Sequence, residues 1–148
     1  QGDEPLMNVD DIKQLNKNMI KNNSDLGTLA SVISDKSLYE NKSVVKVTTK
    51  ESLTNVNFPE AVGFSIKILD QDKNIYHHLG IYFYQKETLK EFVSCKQSFD
   101  EQKYKLEQLR ALENNIKINV ALAKTSPIGV DTKEDFLAIK KIMEYKSK

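Results

Sequence analysis

The side chains best suited to chemistry lie in one run near mid-sequence and at two acidic positions far apart. The run is IYHHLGIYFYQ, residues 75–85. Side chains alternate faces along an extended chain. Ile75, His77, Leu79, Ile81 and Phe83 therefore fall on one side, and Tyr76, His78, Gly80, Tyr82 and Tyr84 on the other. His77 and His78 point opposite ways and do not form a joint metal site on one face. The first set reads as core. The second offers an imidazole and phenols around a glycine that leaves room for a ligand. It reads either as a polar binding wall or as sheet aromatics under a helix with their polar tips at the rim, and spacing alone leans to the second.

Asp3, beside Glu4 and between Gly2 and Pro5, and Asp131, after Gly129-Val130 and before Thr132, are the carboxylates in the most distinctive settings. Carboxylates at strand ends and helix starts can hold Mg²⁺ against phosphate oxygens. They serve equally well as turn and helix-capping residues. Glu107, Gln108 and Arg110 sit together on a predicted helix and read as a solvated charged face. Arg110 is the one arginine among 22 basic residues in a chain rich in Lys and Asn. Either its planar fork is in use or it is a chance survivor of a low-GC codon bias.

Other chemistries are poorly served. No glycine-rich phosphate loop, no HExxH and no Ser-His-Asp signature is present. The 22 basic and 21 acidic residues nearly cancel to +1, and the basic ones are spread along the chain without an aromatic platform, so nothing recruits nucleic acid. The lone Cys95 excludes an internal disulfide and a multi-cysteine zinc site, and reads as a small semi-buried thiol. No apolar run approaches the roughly 18 residues of a membrane helix. A length of 148 residues suits one domain, 1–148. The opening Gln1-Gly2-Asp3-Glu4-Pro5-Leu6 has neither an initiator Met nor a signal-peptide pattern and reads as an internal break, so the chain is expected to be a fragment.

The elements that must position these residues follow from periodicity. Residues 9–22 carry Ile12, Leu15, Met19 and Ile20 at helical spacing, with Asn8 or Asp10 as cap. Strands are predicted at 26–34, 44–48, 62–68, 75–85 and 117–123. In 62–68, Val62, Phe64, Ile66 and Ile68 should share the buried face. Polar connections are predicted at 35–42 and 50–59. The strands 62–68 and 75–85 form either a hairpin or separate members of a larger sheet. Helices are predicted at 87–94 and 99–115, the latter with Leu106, Leu109 and Leu112 on or near one face. A last helix is capped by Thr132 with Asp135 at the capping-box position, and Phe136, Ile139 and Met143 inward. The order is that of an α/β fold with a mixed sheet.

Four segments, QGDEPL at 1–6, HLGIYFY at 78–84, LEQLRALE at 106–113 and GVDTKEDF at 129–136, together and in this order resemble the 3-deoxy-manno-octulosonate cytidylyltransferases, or CMP-Kdo synthetases. TLASVI at 28–33 and VVKVT at 44–48 resemble intervening strands. The resemblance covers essentially the whole chain but not the whole enzyme. Family members begin with a nucleotide-binding section of the type PARxxSxRLPxKPL and further βα units, and carry QGDEP at the end of a central strand.

The resemblance implies a nucleotide-diphospho-sugar-transferase-like three-layer α/β/α sandwich with a mixed sheet, N-terminally truncated. It implies transfer of CMP from CTP to the sugar acid Kdo with release of pyrophosphate, for lipopolysaccharide biosynthesis. A cytoplasmic homodimer is implied, with neither nucleic acid nor membrane as partner. Carried over by motif, Asp3 and Asp131 are catalytic and ligate Mg²⁺. His78, Tyr82, Glu107 and Gln108 line the Kdo pocket, and Gln1 sits near the nucleotide.

Two departures stand out. Ile66 follows Phe64-Ser65 where the family has Arg, and His77 takes the place of a frequent Arg, with Lys67 able to compensate only as a point charge. Competing readings are a related sugar-acid cytidylyltransferase for neuraminate-like or amino-Kdo substrates, and a non-catalytic remnant serving as an interaction module. HLGIY with LEQLR favours Kdo. As a fragment, the chain is expected to be inactive alone and marginally stable, with apolar faces such as that of 26–34 uncovered.

Overall fold

The computed structural model describes residues 5–35, 37–67, 73–125, 129–130 and 132–146. Helix α1, Val9–Asn22, starts where the Asn8 side chain accepts a hydrogen bond from the Asp10 amide and ends on Asn23 in the left-handed conformation. Strand β1, Leu26–Ser31, follows. A short helix α2, Ser37–Glu40, lies inside the predicted polar connection. Then come β2, Lys46–Thr49, β3, Ala61–Ser65, and β4, Ile75–Tyr84. Helices α3, Lys86–Ser94, α4, Phe99–Tyr104, and α5, Gln108–Glu113, precede β5, Asn119–Leu122, and α6, Lys133–Lys146.

The five strands form one mixed sheet in the order β3-β2-β4-β1-β5. β1 runs parallel to β5 and antiparallel to β4. β2 lies between β3 and β4, antiparallel to both, so β3 and β4 do not form a hairpin. An isolated antiparallel bridge joins Glu60, just before β3, to Asn119 of β5. The two ends of a flat five-stranded sheet would lie about 19 Å apart at the usual strand spacing, so this sheet is strongly curled.

Each face carries its own core, giving three layers. On one face Leu15 and Met19 of α1 pack with Leu29, Leu79 and Ala121. On the other Phe92 of α3 and Leu106 and Ala111 around α5 pack with Leu26, Val47, Phe64, Tyr76 and Val120. All six residues of β1 are buried between its neighbours, so the expectation of an uncovered face over 26–34 is corrected for 26–31, while Val32 just beyond is 53% exposed. The open edge lies elsewhere. β4 pairs with β2 only through Ile75, Tyr76 and His77, and the His78 amide reaches the Val45 carbonyl. From Leu79 onward β4 has no strand on that side among the described residues.

Close approach explains Gly27. A Cβ there would sit 2.5 Å from Met19 Sδ, 2.9 Å from the Phe58 ring and 3.1 Å from Leu15. Phe58 keeps that ring in place at a strained φ of 67°. Its carbonyl accepts from the Asn119 amide side chain at 3.0 Å. Gly27→Ala should therefore destabilise the fold by about 1–3 kcal/mol through overpacking, read by chemical denaturation. A change within the error of the measurement would mean that α1 can ride outward at no cost.

Several sequence expectations fail for local reasons. The single helix expected over 99–115 is broken at Lys105, which adopts φ 59° and turns the chain between α4 and α5. Val62 is 57% exposed although Phe64 is buried, because the pairing slips between Thr48 and Thr49 and breaks the alternation. The strand expected over 26–34 ends at Ser31. On α6 only Ile139 is buried, while Phe136 and Met143 are exposed. The Thr132–Asp135 capping box forms as expected, with the Thr132 amide donating to Asp135 Oδ2 and the Asp135 amide to Thr132 Oγ1.

Candidate functional site

β1 and β4 fall out of step at one point. Thr28 pairs with Tyr82 but Leu29 pairs with Leu79, so Gly80 and Ile81 bulge from the ladder. Thr28 Oγ1, fully buried, donates to the Ile81 carbonyl at 2.8 Å and lies 3.0 Å from His78 Nε2. The bulge thus sets the relation between His78 and Tyr82, four residues apart on β4.

From His78 a ladder of rings runs along the α3–α5 face of the sheet. Phe64 meets His78 edge-on at 5.0 Å between centroids. His78 meets Tyr82 at 5.5 Å, Tyr82 meets Tyr84 at 6.2 Å, and Tyr84 meets Phe92 at 5.7 Å. Burial first, and the neighbouring His77 second, push the His78 imidazole down to about 3, so it is neutral at physiological pH. Burial raises the Tyr82 phenol far above its ordinary value, helped by Tyr84 and the Glu107 charge. The Tyr84 phenol rises to about 12, by burial and then by Glu107, with Arg110 pulling it back.

The α4–α5 corner delivers the polar groups to this ladder. Arg110 grips Glu101 with two hydrogen bonds, Nε to Oε2 at 2.8 Å and Nη2 to Oε1 at 2.5 Å. Their side chains are only 12% and 7% exposed. The guanidinium lies 4.6 Å over the Phe92 ring, and Nη2 is 3.5 Å from Glu107. Glu101 also closes the capping box with Ser98. The lone arginine is therefore in use as a fork and a stacking plane. A lysine supplies neither. The expected solvated face at Glu107, Gln108 and Arg110 is corrected: only Glu107 is exposed, while Gln108 and Arg110 turn inward.

Three polar groups here lack protein partners. Gln108 is 8% exposed, and its carboxamide makes no hydrogen bond among the described residues. The same holds for His78 Nδ1, in a residue 6% exposed, and for the half-buried Tyr82 hydroxyl. Buried polar groups are almost always paired, so unpaired ones on one face of a sheet mark a place built for a ligand. Both readings of the aromatic face are then realised in part. Helices do cover it, yet its polar tips are left unsatisfied.

Gln1, Asp3 and Asp131 lie outside the described residues, as do Ile68 and residues 70–72. The buried Asp11, in the first turn of α1, accepts from the Lys124 amide at 3.1 Å and the Thr125 hydroxyl at 3.3 Å. This ties the start of α1, eight positions after Asp3, to the chain leaving β5 toward Asp131. Where the family carries Arg, Ile66 packs its side chain against the core and gives its carbonyl to Lys46 Nζ at 3.2 Å. Lys46 Nζ also donates to the Asn41 carbonyl at 2.6 Å, and the residue is 2% exposed. Burial lowers its ammonium pKa. His77 beside it is held below the usual imidazole range by burial and by that ammonium. Lys67 is exposed, so the buried cation near this end of the sheet is Lys46.

Sequence reasoning passed over Thr28, Glu101, Asp11 and Lys46. Thr28 and Lys46 carried no signal beyond β-strand character. A capping pattern Ser98-x-x-Glu101 was readable, but nothing in it pointed to Arg110.

Comparison with known proteins identifies the family and the fold. The family model described as Cytidylyltransferase matches residues 1–118. The chain is 36% identical over 147 residues to the 3-deoxy-manno-octulosonate cytidylyltransferase of Bartonella quintana, covering 97% of this chain and 58% of that protein. It is 38% identical over 148 residues to the enzyme of the same name from Thermodesulfovibrio yellowstonii, with the same coverage. A solved structure of CMP:2-keto-3-deoxy-manno-octonic acid synthetase complexed with CTP superposes with a TM-score of 0.84 at 26% identity, over 99% of this chain and 60% of that one. The chain thus spans somewhat over half the length of the relatives it matches. No helix among the described residues is long and apolar enough to cross a membrane. With its mixed sheet, its layered helices and a match over most of its length, the chain belongs to the cytidylyltransferase family.

Proposed function

We propose that residues 1–148 form a single partial domain, the sugar-acid-binding part of a CMP-Kdo synthetase, which transfers CMP from CTP to Kdo and releases pyrophosphate. The observation that carries the reading is a set of polar groups without partners among the described residues, the buried His78 Nδ1 and Gln108 carboxamide and the half-buried Tyr82 hydroxyl, beside the exposed Glu107. A polyhydroxylated sugar acid presents hydroxyls that can satisfy such groups. In the reaction the anomeric oxygen bonds to the α-phosphorus of CTP as the bond to the bridging oxygen breaks. Pyrophosphate leaves with the electron pair, and the hydroxyl proton passes to water.

The protein's part is to orient the two reactants and exclude competing water. The aromatic ladder and Gln108 hold the sugar. Gln1 is assigned to the nucleotide by the resemblance of QGDEPL to the family. Asp3 and Asp131 would hold Mg²⁺, which when bound offsets phosphate charge. Two carboxylates plus phosphate oxygens are the usual donor set for this ion, and the reading is supported by the hydrogen bonds of Asp11 that tie the start of α1 to the chain leaving β5. The enzyme works in the cytoplasm as a homodimer and supplies an activated sugar for lipopolysaccharide assembly.

Pyrophosphate release from CTP, Kdo and Mg²⁺ tests the reading. A polypeptide carrying these residues over the full length of its relatives should turn over Kdo in preference to neuraminate or amino-Kdo. The 148-residue chain by itself should give none, since its relatives are longer by roughly two fifths of their length. Preferred turnover of neuraminate would transfer the assignment to a related sugar-acid enzyme, and no turnover of any sugar acid would sink it.

A further inference from the structure

We propose that Thr28 is a positioning residue of the sugar-acid site, fixing His78 as the neutral Nε2–H tautomer so that Nδ1 can only accept a hydrogen bond, from a hydroxyl of the substrate and not from its carboxylate. The inference rests on the sugar-acid reading above and adds to it which chemical group His78 recognises.

A threonine hydroxyl carries one proton. At Thr28 that proton points to the Ile81 carbonyl, 2.8 Å away, with the Leu79 carbonyl at 3.3 Å as a weaker second acceptor. With the proton committed to a backbone carbonyl, Oγ1 meets His78 as an acceptor. The 3.0 Å contact to Nε2 is a hydrogen bond only if Nε2 carries the hydrogen. A neutral imidazole has one N–H, so Nδ1 is bare. Desolvation holds the ring neutral, with no carboxylate bonded to it to favour a second proton. Nδ1 has no partner among the described residues although His78 is 6% exposed. A buried bare acceptor is satisfied by a donor, and a sugar acid at neutral pH offers donors only as hydroxyls. Its carboxylate, an acceptor, would face a lone pair.

The arrangement also explains why the device sits at the bulge. The Ile81 carbonyl that takes the Thr28 proton belongs to the pair, Gly80 and Ile81, that leaves the ladder. The bulge, the threonine and the imidazole thus act as one unit.

Nitrogen-15 chemical shifts of the His78 ring, assigned by loss of the signal in His78→Gln, decide the tautomer in the full-length polypeptide at neutral pH. The expected pattern is a protonated-type shift at Nε2 and an unprotonated-type shift at Nδ1. A protonated Nδ1 would overturn the proposal, whatever the enzyme's substrate. In kinetics, Thr28→Val should raise the KM for Kdo about tenfold, the usual scale for a buried hydrogen bond left unmade. It should leave the KM for CTP unchanged and change kcat little, while Thr28→Ser should stay near wild type. Deoxy-Kdo analogues complete the test. The analogue lacking the hydroxyl that meets Nδ1 should bind wild type and Thr28→Val equally. If every analogue loses as much on Thr28→Val as Kdo does, no hydroxyl is read there and the recognition half fails. Absence of Kdo turnover by the wild type would instead count against the enzyme assignment, leaving the tautomer to the nitrogen shifts.

Discussion

Lowering the pH from 7 to 5 should cost the fold about 2 kcal/mol through His78 alone, since one displaced proton contributes roughly 1.4 kcal/mol per pH unit. His78 has a folded-state pKa of about 3 against an ordinary 6.5. Between those values the unfolded chain binds a proton that the folded chain refuses. The stabilisation is therefore fully present above pH 6.5 and is lost progressively as pH falls toward 3. His77 shifts in the same direction, by burial and by the Lys46 charge, and adds to the slope. The carboxylates enter later. Glu101, held low first by its hydrogen bonds to Arg110, contributes stability that is lost only once pH falls below the ordinary carboxylate range. The window from pH 6.5 to 5 thus isolates the two histidines. Equilibrium denaturation across it should show stability falling steadily in the wild type, and His78→Gln should flatten the slope by about one proton's worth. An unchanged slope in His78→Gln would mean that the imidazole titrates normally and is hydrated in the fold. Domains of this size carry only about 5–15 kcal/mol in total, so the loss is a large share of the whole.

The sequence made much of this fold legible, and its failures have common physical causes. α1 was readable to the residue because its apolar spacing and its cap are both local. β4 was readable because alternation over ten residues admits one interpretation. The division of its side chains also held, with Leu79, Ile81 and Phe83 against one core and Tyr76, Tyr82 and Tyr84 against the other. The break at Lys105 was not readable. A lysine in the left-handed region has no local signal, and the break is stabilised by the Glu101–Arg110 pair across the corner. The bulge at Gly80-Ile81 arises in the pairing with Thr28 and Leu29, fifty-odd positions earlier in sequence, and has no local signal. The exposed apolar residues of α6 defeated the inward assignment because that helix finds little to pack on within these residues. In the site, the resemblance named His78, Tyr82, Glu107 and Gln108, but the burial of His78 and Gln108 and the absence of partners for His78 Nδ1, the Tyr82 hydroxyl and the Gln108 carboxamide among the described residues emerge only in three dimensions. Arg110 was noticed for its rarity, yet its partner became visible only when α4 and α5 folded back on each other.

Asp131→Asn in the full-length polypeptide should lower turnover by about a hundredfold or more, the scale for loss of a group that stabilises developing charge, while shifting the melting temperature little. Two local explanations for Asp131 compete with metal binding, and the structure weakens the more obvious one. A helix cap is not needed from it, because Thr132 and Asp135 already close a reciprocal capping box at the start of α6. Nor is Asp3 required to cap α1, where Asn8 does so. What the fold does show is a tie between the start of α1 and the chain leaving β5. Asp11 spends both carboxylate oxygens on the Lys124 amide and the Thr125 hydroxyl, in a position 2% exposed, linking the start of α1 to the exit of β5. A buried carboxylate bonded in this way is costly to remove, and its reach across the sheet end fits two acidic segments that must cooperate. Asn keeps the shape of Asp and loses only the charge, so a turn or capping role would survive the substitution and a cation site would not. Titration with Mn²⁺ as a probe should show weakened binding in Asp131→Asn and in Asp3→Asn alike. Full turnover with intact metal affinity in either variant would remove that residue from the metal site. A large fall in melting temperature without loss of affinity would return it to a structural role.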